Sequence, residues 1–305
     1  MKTPVVVSAF CRPDLTRDAV LSLLTFDSDI EVTVSQDGKI PGFYEREHYE
    51  TREVILELQR LYPQISINLR DQNQGLTQHL IQIFERVLQN HDKLIFLEED
   101  MRITAPGLIH LKTFEEMSAP GHNCAFSTSL HPTNSNELDY RLTFFPEQWG
   151  IGINSATFSI FKEVVNSPIV HRDIVRQIIK STKHKRIQIE FLTDYWVQLF
   201  KSEISSAHGW DAALQYALWK YQVPSKVSLK TFIRDLGGGV GALTSRLNSN
   251  FSDDISNHEI RARDFCYTCE RLDYRRRNFS VMSQVRSRLR IRSRILRNFA
   301  ALDFR

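Results

Sequence analysis

The first hundred residues alternate between short β-branched runs and stretches with helical periodicity, and this alternation limits the fold more than anything else in the chain. Val5–Phe10, Ile30–Ser35, Ile65–Leu69 and Lys93–Leu97 read as strands. Between them, Leu15–Phe26 carries Ala19, Val20, Leu23 and Leu24 on one side. Thr51–Leu61 does the same with Val54, Ile55, Leu58 and Leu61, and Leu76–Leu88 with Leu80, Ile83, Phe84 and Val87. Repeated β-α units fold as a parallel sheet wrapped by right-handed crossovers. With 305 residues, 42 % of them apolar, the chain has material for one large α/β domain or two small ones.

The fourth strand ends unusually. Leu94–Leu97 is an unbroken apolar run, as expected for a strand covered on both faces. It leads directly into Glu98, Glu99 and Asp100, at the carboxyl edge where open α/β sheets bind ligands. Three adjacent carboxylates repel one another, which is costly unless a cation or a hydroxyl-rich ligand meets them. A solvated acidic loop is the alternative. In a parallel sheet, three more loops share that edge: Phe10-Cys-Arg-Pro13, Ser35-Gln-Asp-Gly38 and Arg70-Asp-Gln-Asn-Gln-Gly-Leu76. Arg12 offers a planar fork for a diphosphate. Asp37 offers a carboxylate to a base or ribose donor, although Asp-Gly is also ordinary turn chemistry. Gly75 and the helix start behind it suit either a phosphate or a plain turn.

After Asp100 the pattern changes. Pro106–Met117 is helical, and Cys124–Ser129 and Tyr140–Phe145 read as strands. Ala156–Asn166, Asp173–Lys180 and Ile189–Lys201 are amphipathic. His208-Gly-Trp-Asp211 opens another helix with Asp211 at its N-cap, and Lys226–Ile233 is a late strand. Beyond about Arg246 the chain turns polar and irregular. The expected organisation is a domain over residues 1–245, whose halves are 1–100 and 101–245, and an appendage over 246–305.

Val34-Ser-Gln-Asp37, Glu98-Glu-Asp100, Leu142-Thr-Phe-Phe-Pro146 and His208-Gly-Trp-Asp211 stand in the order seen in alpha-mannoside beta-1,2-N-acetylglucosaminyltransferase I. Over roughly Pro4 to Ala242 the chain resembles that family of glycosyltransferases. The resemblance implies a GT-A (Rossmann-like) α/β fold: a mixed, mainly parallel central sheet flanked by helices. It also implies an inverting, metal-dependent reaction that uses UDP-N-acetylglucosamine. On the family pattern Asp100 would ligate Mn²⁺, or Mg²⁺ in its place. Glu98 would face the donor sugar and Glu99 the ribose. Arg12, in the loop opened by Phe10, would meet the diphosphate; Asp37 and His79 would meet the uracil. Trp210 would contact the sugar and Asp211 would be the catalytic base. The first half would then bind the nucleotide and the second the acceptor. Two positions depart from the pattern. Glu99 stands where the family has Asp and reaches one methylene further, and Ala212 replaces a second Asp, leaving Asp211 the only carboxylate of that pair. The membrane anchor usual in the Golgi enzymes is not expected here.

The chemistry is coherent without the family. A departing diphosphate needs a cation for its accumulating charge, and one carboxylate with phosphate oxygens and waters suits Mn²⁺ or Mg²⁺. An inverting displacement needs one base on the opposite face. The run Gly237-Gly-Gly-Val-Gly241 is a candidate loop over the donor, or a linker.

Charge is uneven. The formal net charge is +3, yet Arg271–Arg305 holds 11 Arg against Asp273 and Asp303. That basic C-terminal appendage is expected to touch anionic lipid, which a lipid-linked saccharide acceptor would make useful; a glycan is the other acceptor class. Nucleic acid is the less favoured partner, and a solvated tail the bland one. Cys266-Tyr-Thr-Cys269 is a lone pair with weak metal or redox meaning. Four cysteines are too few for a secreted disulfide scaffold, and no apolar run approaches the roughly 18 residues of a membrane span. The expectation is a cytosolic protein that begins at Met1 and meets membranes peripherally. Competing readings are a sugar nucleotidyltransferase and a non-catalytic GT-A-like module binding through its tail.

Overall fold

The computed structural model describes residues 3–27, 29–112, 126–129, 140–143, 149–167, 210–221, 223, 225–231 and 233–236. Contacts group Met1–Val165 with Ser205–Asp254 in one unit and Asn166–Ile204 with Ile255–Arg305 in another. The elements below belong to the first, α5 ending at its boundary. The stretches Asp173–Lys180 and Ile189–Lys201, the glycine run, the CxxC and the Arg-rich tail lie outside the described residues.

Three β-α units and a fourth strand open the chain as expected. The strands are β1 (Val5–Ala9), β2 (Val32–Gln36), β3 (Ile65–Leu69) and β4 (Lys93–Glu98); the helices are α1 (Pro13–Phe26), α2 (Glu45–Leu61) and α3 (Leu76–Leu88). The strands lie parallel in the order β3-β2-β1-β4, with Val5 of β1 beside Val32 of β2 on one flank and Ile95 of β4 on the other. All four loops therefore leave the same edge. α1 begins two residues before the expected start because Pro13, whose φ suits a first helical position, opens it. α2 begins six residues early; its first turns bury His48 and Thr51, polar side chains that carry no apolar period.

Past β4 come β5 (Met101–Ile103), α4 (Ala105–Lys112), β6 (Phe126–Ser129), β7 (Tyr140–Thr143), β8 (Trp149–Asn154) and α5 (Ser155–Asn166). They are followed by α6 (Trp210–Lys220), β9 (Ser225–Thr231) and β10 (Ile233–Asp235). Among the described residues the main sheet runs β3-β2-β1-β4-β8-β6-β9-β7. It is mixed: β4–β8, β6–β8 and β7–β9 are antiparallel and β6–β9 is parallel. The expected Lys226–Ile233 strand is instead two, β9 in the main sheet and β10 paired antiparallel with β5.

The sheet is covered on both faces, as the apolar fourth strand requires. Val5, Val7, Ile95 and Leu97 pack with Ala19, Val20 and Leu23 of α1 and Ile55 and Leu58 of α2. On the other face Phe84 of α3 meets Phe96 edge to face at 5.2 Å and Phe158 of α5 at 6.3 Å. Trp210 of α6 stands edge-on to Phe96 at 5.2 Å. Among the described residues no helix is long and apolar enough to cross a membrane.

Candidate active site

The acidic turn is built from backbone outward. Glu98 ends β4, while Glu99 and Asp100 make the two-residue turn into β5. Backbone bonds hold it from outside: β5 pairs with β10, and Leu236 N donates to Asp100 O at 2.9 Å. Arg102 reaches back from β5, its Nη1 donating to Glu99 O at 3.0 Å and Met101 O at 3.2 Å, its Nη2 to Leu15 O of α1 at 2.9 Å. One guanidinium thus ties the turn to α1.

Arg12 precedes α1, and its carbonyl accepts from Thr16 N and Thr16 Oγ1, both at 2.9 Å. Its guanidinium donates from Nε to Glu99 Oε1 and from Nη1 to Asp100 Oδ2, each at 2.8 Å. Burial works against its charge, but Glu99 and Asp100 outweigh that and hold the guanidinium above its ordinary range. The family pattern points Arg12 to a diphosphate and the acids to other partners; the structure places Arg12 on the acids.

One guanidinium does not balance three carboxylates. Glu98 is half-buried and its carboxyl is pushed up to about 8, first by burial, then by Asp100 and Glu99, with Asp211 adding. Burial likewise raises Glu99, against the pull of Arg12. Among the described residues no group of three His, Cys, Asp or Glu side chains is arranged to enclose a metal ion. The donor set nevertheless fits a divalent cation held by one carboxylate and supplied with phosphate oxygens, because a cation would relieve the repulsion among the three acids that helps to raise Glu98. Asp100, its side chain 13 % exposed, is the member that would hold it.

Trp210 and Asp211 reach this turn from across the sequence. Trp210, 5 % exposed, donates from its indole Nε1 to Glu98 Oε1 at 3.3 Å. The helix begins at Trp210, so Asp211 lies in its first turn rather than at the expected N-cap, half-buried and close enough to act on Glu98 through its charge. His208, Gly209 and Phe144–Pro146 of the matched motifs lie outside the described residues.

Asp37 and His79 form the other end of the edge, and both are turned inward. Asp37, 5 % exposed, accepts at Oδ1 from Gly38 N (2.8 Å) and Gln74 N (3.0 Å), and at Oδ2 from Gln74 N (3.2 Å). The backbone amide before the start of α3, a candidate phosphate donor, is thus spent on Asp37. His79 is 1 % exposed; its Nε2 is 2.9 Å from Ser35 Oγ and its Nδ1 is 3.8 Å from Asp37 Oδ1. Asn68 Nδ2 donates to the same Ser35 hydroxyl at 2.8 Å. Burial keeps His79 neutral by lowering its pKa. Phe10 stacks on Phe43 at 6.4 Å and 29°, and meets the His48 ring edge-on at 5.5 Å. Gln36, fully buried, donates from Nε2 to Phe10 O at 2.9 Å and His48 O at 2.8 Å, which fixes the first two loops to each other.

Arg12, Glu98, Glu99, Asp100, Trp210 and Asp211 are therefore brought together. Phe10, Asp37 and His79 lie along the same edge without a direct bond to the acidic turn among the described residues. Arg102, Gln36 and Ser35 were missed. The alternation Met101-Arg102-Ile103 was the available signal for β5, but three residues are too few to establish a strand.

No protein-family model matches the chain, and no curated protein sequence matches it. Solved structures do. The bifunctional glycosyltransferase WbbM matches over 54 % of this chain and 35 % of its own, at 14 % identity and a TM-score of 0.32. The chain thus spans about a third of that protein. The mannosyltransferase PcManGT from Pyrobaculum calidifontis, solved with GDP-Man and Mn²⁺, matches over 71 % and 69 % at 11 % identity and a TM-score of 0.40. The CMP:2-keto-3-deoxy-manno-octonic acid synthetase bound to CTP matches over 87 % and 100 % at 11 % identity and a TM-score of 0.44. At these identities and scores the activity must be read from the chain's own residues.

Proposed function

We propose that the chain is a metal-dependent, inverting glycosyltransferase that moves a sugar from a nucleotide sugar to a hydroxyl of a glycan or lipid-linked saccharide. A UDP-sugar is the favoured donor, UDP-N-acetylglucosamine first among them. The observation that carries this reading is the Trp210 Nε1–Glu98 Oε1 hydrogen bond. It joins the start of α6, with Asp211 beside the ring, to an acidic turn 112 residues earlier. A base and a cation-seeking carboxylate are then neighbours, as displacement at a sugar carbon requires.

In this mechanism Asp211 accepts the proton of the acceptor hydroxyl, and that oxygen bonds to the anomeric carbon as the bond to the diphosphate breaks. The configuration at that carbon inverts and a nucleoside diphosphate leaves. Mn²⁺ or Mg²⁺ held by Asp100 would stabilise the charge gathering on the departing oxygens. Trp210 would contact the sugar through its edge at the site while it holds Glu98, which would accept from a sugar hydroxyl. Phe10, Asp37 and His79 lie at the nucleoside end, and Glu99 reaches toward the ribose. The tail carries the contact with anionic membrane.

Isothermal titration of UDP with and without Mn²⁺ tests the reading. Metal-dependent binding that is lost in Asp100→Ala is expected; no metal dependence, or unchanged binding in the variant, sinks it. Asp211→Asn should keep donor binding and lose most transfer, and equal turnover removes Asp211 as base. Consumption of sugar 1-phosphate and nucleoside triphosphate with release of pyrophosphate would assign nucleotidyl transfer instead. Binding of nucleic acid, abolished with a steep salt dependence on deleting 271–305, would assign a binding module.

A further inference from the structure

We infer that Arg12 couples nucleotide binding to cation binding by exchanging Asp100 for the diphosphate. The inference rests on the glycosyltransferase reading but concerns a contact which that reading does not contain. On the family pattern Arg12 and Asp100 serve different ligands, whereas in the structure they serve each other.

The guanidinium spans two carboxylates, Nε to Glu99 and Nη1 to Asp100, rather than gripping one with both arms. The three side chains are 15 %, 7 % and 13 % exposed, so these pairs escape much of the screening that weakens surface ion pairs. The backbone of Arg12 cannot travel, because its carbonyl is fixed by Thr16 at the first turn of α1. The acidic turn cannot travel either: Arg102, β10 and Leu236 hold it. What remains free to rearrange is the Arg12 side chain.

A guanidinium and a divalent cation on the same carboxylate repel each other at a few ångströms, so Asp100 serves one or the other. Arg12 at Asp100 thus holds the cation off. A diphosphate changes the balance, since its oxygens match the planar fork better than two separate carboxylates do. As Arg12 turns to the phosphates it leaves Asp100 to the cation, which the same phosphates help to hold. Glu99 can keep its bond to Nε during the turn, because that bond uses a different arm. Nucleotide therefore raises cation affinity, and by reciprocity the cation raises nucleotide affinity by the same factor.

The test titrates Mn²⁺ into the full-length protein and follows free Mn²⁺ by electron paramagnetic resonance, with and without saturating UDP. For the wild type, UDP should tighten Mn²⁺ binding about tenfold or more. Arg12→Gln should bind Mn²⁺ without UDP about tenfold tighter than the wild type and lose most of the UDP effect. Arg12→Lys keeps the charge as a single point donor and should fall between them, which preserves the test if the Gln variant fails to fold. UDP enhancement equal in the wild type and both variants, with Mn²⁺ binding equal without UDP, overturns the exchange and leaves the glycosyltransferase reading standing. A wild type whose Mn²⁺ binding ignores UDP overturns both.

Discussion

Gly38→Ala is the substitution that best separates the candidate site from the rest of the fold. Gly38 is not strained; the difficulty is space. A Cβ built there would lie 2.1 Å from Gln72 C, 2.4 Å from Asn73 N and 2.4 Å from Gln72 O. All three atoms are backbone, so no side chain can rotate away. Restoring ordinary contact requires the β3–α3 loop to retreat by about 1 Å or more. That retreat stretches the Asn73 Nδ2 bond to Gly38 O at 2.8 Å and the Gln74 N bond to the Asp37 carboxylate at 3.0 Å. A neutral hydrogen bond contributes about 1 kcal/mol net and one to a charged group about 1.5–3. The expected cost is therefore about 3 kcal/mol, a large part of the 5–15 kcal/mol of a typical domain.

The assay is a urea melt followed by far-UV circular dichroism, with UDP–Mn²⁺ titration on the folded variant. The midpoint should fall with the slope unchanged, because the apolar core on either side of the sheet is not touched. Nucleotide affinity should fall too, since both loops of the nucleoside end are displaced. A midpoint within 0.5 kcal/mol of the wild type on conversion, or full nucleotide affinity in the destabilised variant, would refute the reasoning. The first result would mean that the two loops do not meet as described. The second would mean that they meet but do not serve the nucleotide.

Trp210→Phe keeps an aromatic ring against Phe96 but removes the indole donor to Glu98. Stability should drop by about 1 kcal/mol while transfer drops far more, and a variant with full turnover contradicts a role for that bond. Arg102→Ala should cost about 2 kcal/mol, because its bonds to Glu99 O, Met101 O and Leu15 O go together. It should also weaken Mn²⁺–UDP binding, while an exposed control such as Arg46→Ala should leave both unchanged. His48 and His79 are both lowered from their ordinary value, by burial first. The unfolded chain takes up their protons below about pH 6.5 and the folded chain only at lower pH, so their contribution is complete above 6.5 and declines as pH falls. The raised Glu98 and Glu99 carboxyls act in the opposite sense. The clean measurement is therefore the difference between wild type and His79→Gln, whose stability should decline less between pH 7 and 5.5; equal slopes would dismiss the buried neutral imidazole.

What the sequence revealed depended on how local the cause was. Val5–Ala9, Ile65–Leu69 and Leu94–Leu97 are legible as strands because a short apolar or alternating run between helical stretches suffices to define them. The first turns of α2 are not, since Glu45–Glu50 has no apolar period and part of its support is tertiary, such as the Gln36 bond to His48 O. β8 is hidden in the sequence by its two glycines: Gly152 pairs with Ile95 of β4 and Phe126 of β6, and Gly150 sits where the register between β6 and β8 shifts. Gly150 has φ +65, and a Cβ there would strike Ile233 at 2.1 Å, a constraint set by a residue 83 positions away. In the candidate site the residue types were legible and the partners were not. Arg12 was marked for an anion, and its anions proved to be Glu99 and Asp100. Asp37 could be turn or ligand, and it is bound by the backbone on both sides.

The arrangement around the three acids has a physical logic of its own. Like charges at adjacent positions are held together only if the main chain that carries them is fixed elsewhere, and four independent supports do this. β4 is paired with β1 and β8, β5 with β10, Arg102 with the α1 backbone, and Leu236 with Asp100 O. None of these bonds except that of Arg102 uses a charge, so the other three do not weaken when the charge on the acids changes. The side chains are supported differently: Arg12 and Trp210 contact them through single side-chain groups that can let go. On the exchange proposed for Arg12, a rigid main chain with exchangeable side-chain partners would let the turn pass from pairing with Arg12 to pairing with a ligand without unfolding. A solvated acidic loop would need neither feature, and it would not place a buried tryptophan from a helix 112 residues away on its first carboxylate.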